Sequence, residues 1–140
     1  MQKNVGKIYT SNTIIIKQDQ INKYAEASGD DNPIHLDEDF AQKSNFGGIV
    51  AHGMLILAQI SELLTSIFGI NWVNNGHLDV RFRRPVYLKD SIQSIIEIVS
   101  IESENDKSKI NCKVSCVKNN DDSVIVGTAN IYIPEKKKEK

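Results

Sequence analysis

Between positions 30 and 39 the chain concentrates side chains that can move protons: Asp30, Asp31, His35, Asp37 and Asp39, with Asn32 and Pro33 among them. An ionised carboxylate is a base, and an imidazole, with an ordinary pKa of about 6.5, gives or takes a proton near neutrality. Three readings fit this cluster. Gly29, the Asp side chains and Asn32 suit a hydrogen-bonded turn that leaves His35 on the surface. Carboxylates with a histidine also suit a divalent cation, although the spacing matches no standard ligand motif. In the third reading the rigid Pro33 loop brings Asp30 and His35 to one water as an acid/base pair.

That third chemistry has defined needs. Adding water across a double bond conjugated to a carbonyl requires a base for the water, a proton donor for the carbon beside the carbonyl, and a donor for the enolate oxygen. Asp30 and His35 answer the first two. The third points to Val50 to Met54, where Gly53 opens an apolar helix whose first N–H groups have no partner within the helix. His52, beside it, is read as a loop-supporting hydrogen-bond group. His77 is assigned no role. Arg81, Arg83 and Arg84 suit either phosphates or a solvated strand face.

The elements that must position these groups are legible in outline. Residues 12–17 are β-branched and apolar enough for a short strand, and Asp19 stands where an N-cap would open a helix to about residue 27. Residues 28–33 read as turn, so His35 ends a constrained loop, and 37–44 suit a short helical turn. Gly47 and Gly48 precede a mostly apolar helix running to about residue 68. The rest reads as hairpin-linked strands over 76–86, 91–104, 107–118 and 123–133. In the third of these, Ile110, Cys112, Val114 and Cys116 alternate with polar residues, so both thiols face the core and carry no chemistry. Helical elements, one long helix, then four strands predict an α+β fold with an antiparallel sheet on that helix. Residues 1–134 are expected to form one domain, with 135–140 a charged, solvated tail.

Bulk properties exclude several classes. The 140 residues are 40% hydrophobic and 25% charged, as in folded globular proteins. Seventeen Lys+Arg against 18 Asp+Glu leave a net charge of -1, with no electrostatic footprint for nucleic acid. No signal peptide or membrane span is apparent, so a cytoplasmic location is expected.

Three segments together carry a resemblance: Ser28-Gly29-Asp30-Asp31-Asn32-Pro33-Ile34-His35, then Ala51-His52-Gly53-Met54, then Arg81-Phe82-Arg83-Arg84-Pro85-Val86. They resemble the MaoC-like, (R)-specific enoyl-CoA hydratase family, closely over roughly residues 24–90. The resemblance implies a hotdog fold, usually paired into homodimers, and reversible hydration of a trans-2-enoyl-CoA to the (R)-3-hydroxyacyl-CoA. It implies that Asp30 and His35 are catalytic, that the Gly53 amide forms the oxyanion hole, that Asn32 and Pro33 hold the loop, and that Ser61 lines the acyl pocket. No metal or organic cofactor is implied. At Ala27 the family usually has a larger aliphatic residue or Gly, a difference that concerns packing. The alternatives are a 3-hydroxyacyl-[acyl carrier protein] dehydratase, a non-catalytic acyl-thioester binding module, a hotdog thioesterase and a metal-dependent hydrolase.

Overall fold

The structure, a computed structural model, describes residues 3–135. The charged tail expected over 135–140 therefore lies, apart from Glu135, outside the described residues. The elements run β1 (Ile8–Thr10), β2 (Ile14–Ile15), α1 (Gln18–Ser28), α2 (Pro33–Leu36), α3 (Glu38–Lys43), α4 (Gly53–Phe68), α5 (Ile70–Asn75), β3 (Gly76–Phe82), β4 (Ser91–Glu104), β5 (Lys107–Lys118) and β6 (Asp122–Pro134).

Three long strands build the sheet because their turns are written into the sequence. Asn105 and Asp106 between β4 and β5, and Asn119 and Asn120 between β5 and β6, adopt positive φ, a conformation that Asn and Asp reach at lower cost than other side chains. The resulting order is β1-β4-β5-β6-β3, all antiparallel, with β2 also on β4. Every second residue of β4 from Ile92 to Ile98 is buried, and β5 continues the pattern through Ile110, Cys112, Val114 and Cys116.

Helix α4 covers this face. Ile56, Ile60, Leu64 and Ile67 recur at spacings of three and four and are buried in one core with the β4, β5 and β6 side chains. Each such side chain contributes about 1.5–3 kcal/mol on burial. The sheet therefore holds α4, and with it Gly53 at its N-terminus, as a rigid element.

Several boundaries differ from the sequence expectation for local reasons. Of the strand expected over 12–17 only β2 forms, and β1, upstream of that span and not anticipated, also pairs with β4. Helix α1 is capped by Lys17, whose amide donates to the Gln20 side chain at 3.0 Å, and Asp19 sits inside the first turn. The loop expected around His35 contains a helical turn, α2, which Pro33 opens with its fixed φ and Asn32 caps. Helix α5 was not anticipated; Gly69, at φ 58, separates it from α4. Strand β3 stops at Phe82, short of residue 86, since Pro85 has no N–H to donate and the Val86 carbonyl accepts from Ala51 instead. Ala27 is exposed, so its difference from the family pattern has little packing consequence.

Both cysteines face the core as the alternation requires, free and buried, and burial pushes each thiol up to about 11. At pH 8 only about one thiol in a thousand is ionised. Native protein is accordingly expected to leave both thiols unreacted with a chromogenic disulfide at pH 8 over minutes, and unfolded protein to react at both.

Candidate active site

The acidic cluster folds into a turn stitched by its own side chains. Helix α1 ends at Gly29, whose φ of 78 lets its amide turn back to the Ala25 carbonyl at 2.9 Å. The Asp30 amide then donates to Ser28 Oγ at 3.1 Å, the Asn32 amide to Asp30 Oδ1 at 3.4 Å, and the Ile34 amide to Asn32 Oδ1 at 3.1 Å. Asn32 and Pro33 thus shape the loop and start α2. One turn later His35 is carried inward, to 7% exposure, and Gln18 Nε2 holds its carbonyl at 3.0 Å.

The His35 ring is fixed by backbone. Its Nδ1 lies 2.6 Å from the Val50 carbonyl oxygen. A carbonyl only accepts, so in the neutral ring Nδ1 carries the proton and Nε2 keeps its lone pair, the form required of a base. Val50 is itself fixed: its amide donates to the Ile34 carbonyl at 3.3 Å, and it bridges Tyr87. The next residue, Ala51, donates to the Val86 carbonyl at 2.8 Å.

His52 lies beside this pair, 2% exposed, with its ring stacked on His35 at 3.8 Å between centroids. Its Nε2 is 2.9 Å from the Asp30 backbone carbonyl and its Nδ1 has no protein partner. The supporting hydrogen bond expected of His52 is therefore present. One carboxylate oxygen of Asp30 and one ring nitrogen from each histidine lie within 4.8 Å of one another. The grouping is a poor cation cage. The two rings are tilted by only 28°, so their in-plane lone pairs run side by side instead of converging on one ion.

A cavity of about 340 Å³ opens onto His35 and Gly53 and is otherwise mostly apolar, with Ile56 and Ile125 within it and Phe46 and Phe82 among its lining. Its size suits a small-molecule or acyl ligand. Gly53 is the first residue of α4, where the amide lacks a helical partner, and an added Cβ would stand 3.0 Å from the Phe82 ring. Arg83 and Arg84 line the same cavity, whereas Arg81 lines a separate depression with Asp79 and Thr128. Ser61 is not brought to this site. It lies two turns along α4, where its Oγ accepts from Trp72 Nε1 at 3.3 Å.

The sequence reading missed Val50, whose contribution is a main-chain carbonyl without a side-chain signature, and Tyr87. The Tyr87 hydroxyl donates to the Phe46 carbonyl at 2.8 Å and so ties down the loop that walls the cavity. Asp90 anchors Tyr87 in turn: it accepts from the Tyr87 amide at 2.8 Å and Asn119 Nδ2 at 3.0 Å, and pairs with Lys118 at 3.5 Å. A turn-forming Asp three residues after Tyr87 was the available signal.

Comparison with known proteins places this architecture. The MaoC like domain family model matches residues 2–120. A 3-hydroxybutyryl-CoA dehydratase from Methylorubrum extorquens is 33% identical over 81% of this chain and 70% of its own length. A mitochondrial 3-hydroxyacyl-[acyl-carrier-protein] dehydratase from Arabidopsis thaliana is 29% identical over 87% of this chain and 73% of its own. Among solved structures, the unliganded R-hydratase of Pseudomonas aeruginosa superposes with a TM-score of 0.81 at 28% identity, covering 96% of this chain and 84% of that one. The antiparallel sheet wrapped around α4 is a hotdog fold, and the matched relatives define a class of hydro-lyases that add or remove water. The chain belongs to the MaoC-like family within it.

Burial alone would raise the Asp90 carboxyl, but the Asn119 and Tyr87 hydrogen bonds and the Lys118 charge outweigh it and hold it below the usual carboxylate value. A depressed folded value contributes stability above the unfolded value, about 3.9, that disappears as pH falls through the folded value. Asp90→Asn is expected to cost about 1 kcal/mol at pH 7. In urea titrations the gap from wild type should narrow as pH falls below about 3.9.

Proposed function

We propose that the protein hydrates trans-2-enoyl-CoA reversibly to the (R)-3-hydroxyacyl-CoA, with Asp30 and His35 sharing the reacting water. The observation that carries this reading is the His35 Nδ1 bond to Val50, which leaves Nε2 as the base beside a cavity that also contains the Gly53 amide. The water oxygen bonds to C3 as its proton passes to the pair. The double-bond electrons shift toward the thioester oxygen, where the Gly53 N–H stabilises the developing charge, and the proton is returned at C2. Dehydration is the same path reversed. Arg83 and Arg84 at the cavity are available to the phosphates of the carrier.

The second reading keeps this chemistry and changes the carrier to acyl carrier protein. It is favoured by the Arabidopsis relative, a 3-hydroxyacyl-[acyl-carrier-protein] dehydratase whose match covers most of this chain. A non-catalytic binding module is disfavoured by the ordered Asp30 and His35 pair. No helix among the described residues is long and apolar enough to cross a membrane. We read the enzyme as cytoplasmic. We read residues 1–134 as one domain and the active form as a homodimer, joined along β3, a sheet edge whose outer backbone groups have no partner strand among the described residues.

Loss of conjugated-enoyl absorbance with crotonyl-CoA and a longer enoyl-CoA tests the reaction. Wild type should turn over, and Asp30→Asn and His35→Ala should each reduce kcat/KM by about a thousandfold in protein that remains folded, Asp30→Asn with the wild-type thermal midpoint and His35→Ala, which vacates a buried ring and its bond to Val50, with a lower one. Dialysis against a chelator should leave the wild-type rate unchanged. Activity in the well-folded double variant would refute the assignment of the pair, and activity only on carrier-protein thioesters would select the second reading.

The dimer is tested separately by light scattering on the eluting protein. The expected mass is twice the chain mass of 15.7 kDa, and a monomer at micromolar concentration would contradict it.

A further inference from the structure

We propose that His52 is a positioning residue that locks Asp30 and His35 into one working geometry. This inference rests on the hydratase reading above. The bonds within residues 28–34 span only two positions each and shape the turn without anchoring it elsewhere. Among the described residues, the His52 Nε2 bond to the Asp30 carbonyl is the only hydrogen bond tying residues 29–32 to a distant part of the chain. His52 is also the N-cap of α4, so its backbone is fixed by the helix that the core holds. Its ring lies against His35 on one side and 4.7 Å from the Tyr24 ring on another. One buried side chain therefore sets the height of the Asp30 loop and the plane of the His35 ring together.

The tautomer supports this role. The Asp30 carbonyl can only accept, so His52 Nε2 carries the proton and Nδ1 is left as a buried acceptor without a protein partner. An apolar ring would fill the same space without an unmet polar atom. The Nε2 bond to Asp30 is what a histidine adds there. His52 is 2% exposed and its Nε2 is engaged by the Asp30 carbonyl, so it acts on the reaction through Asp30 and His35 and not through substrate contact.

Two variants separate these contributions. His52→Gln keeps an amide N–H near the position of Nε2, whereas His52→Phe keeps a stacked ring without the donor. With enoyl-CoA as substrate, His52→Phe is expected to lower kcat roughly a hundredfold, the scale of a misplacement of about 1 Å, with KM within about threefold of wild type. His52→Gln should recover most of the loss. Amide hydrogen exchange, which needs no activity, should show residues 29–32 exchanging faster in His52→Phe while the α4 core stays protected. Wild-type kcat in His52→Phe, equal losses in both variants, or a loss confined to KM would each overturn the proposal. If wild type were inactive on every thioester, the hydratase reading would fall, and unchanged exchange at residues 29–32 in His52→Phe would overturn the positioning role independently.

Discussion

The hydrogen bond from the His35 ring to the Val50 carbonyl is the constraint around which the site is organised. It joins two parts of the chain that fold for different reasons. His35 arrives on a helical turn opened by Asn32 and Pro33, while Val50 arrives on an extended segment that leads into α4. Residues 50 and 51 also bond to Ile34 and Val86, so a three-way junction forms behind the imidazole. A side chain held only by other side chains would sample several rotamers. One held by a carbonyl that is itself held on both sides has its orientation and its tautomer set before any substrate arrives.

The core explains why that junction is stable enough to serve. Ile56, Ile60, Leu64 and Ile67 seat α4 on the buried faces of β4, β5 and β6, and the N-terminus of the same helix presents Gly53 and His52. Burial energy spent on the sheet and helix thus fixes the amide and the imidazole that flank His35. The rim is held by different forces. Tyr87, Asp90, Lys118 and Asn119 form a polar knot where β4 begins, and through Tyr87 it restrains Phe46 at the cavity wall. The rim depends on a charge, that of Asp90, which Lys118 and Asn119 stabilise.

Much of this was legible in the residues, unevenly and for physical reasons. Strands β4 and β5 have the bounds that the Asn-Asp turns imply, and in β5 the alternation of Ile110, Cys112, Val114 and Cys116 with polar residues is a strong signal. The start of α4 was legible at His52-Gly53. Short elements were less so: α2 has four residues and α5 six, too few for a periodic pattern, β1 was not anticipated, and of the strand read over 12–17 only Ile14 and Ile15 pair with β4. At the site, Asp30, Asn32, Pro33, His35, His52 and Gly53 were all picked out by type and spacing, and the structure gathers them. Ser61, suggested by family resemblance alone, turns instead to Trp72. The Val50 carbonyl had no signal, because a main-chain group is specified by topology and every residue has one.

Backbone fixes which nitrogen of His35 carries the proton in the neutral ring, and long-range proton–nitrogen NMR of the histidine rings addresses this directly. In the neutral ring the His35 resonances should show a protonated Nδ1 and a bare Nε2. A ring protonated at Nε2, or an even mixture of the two tautomers, would contradict the account.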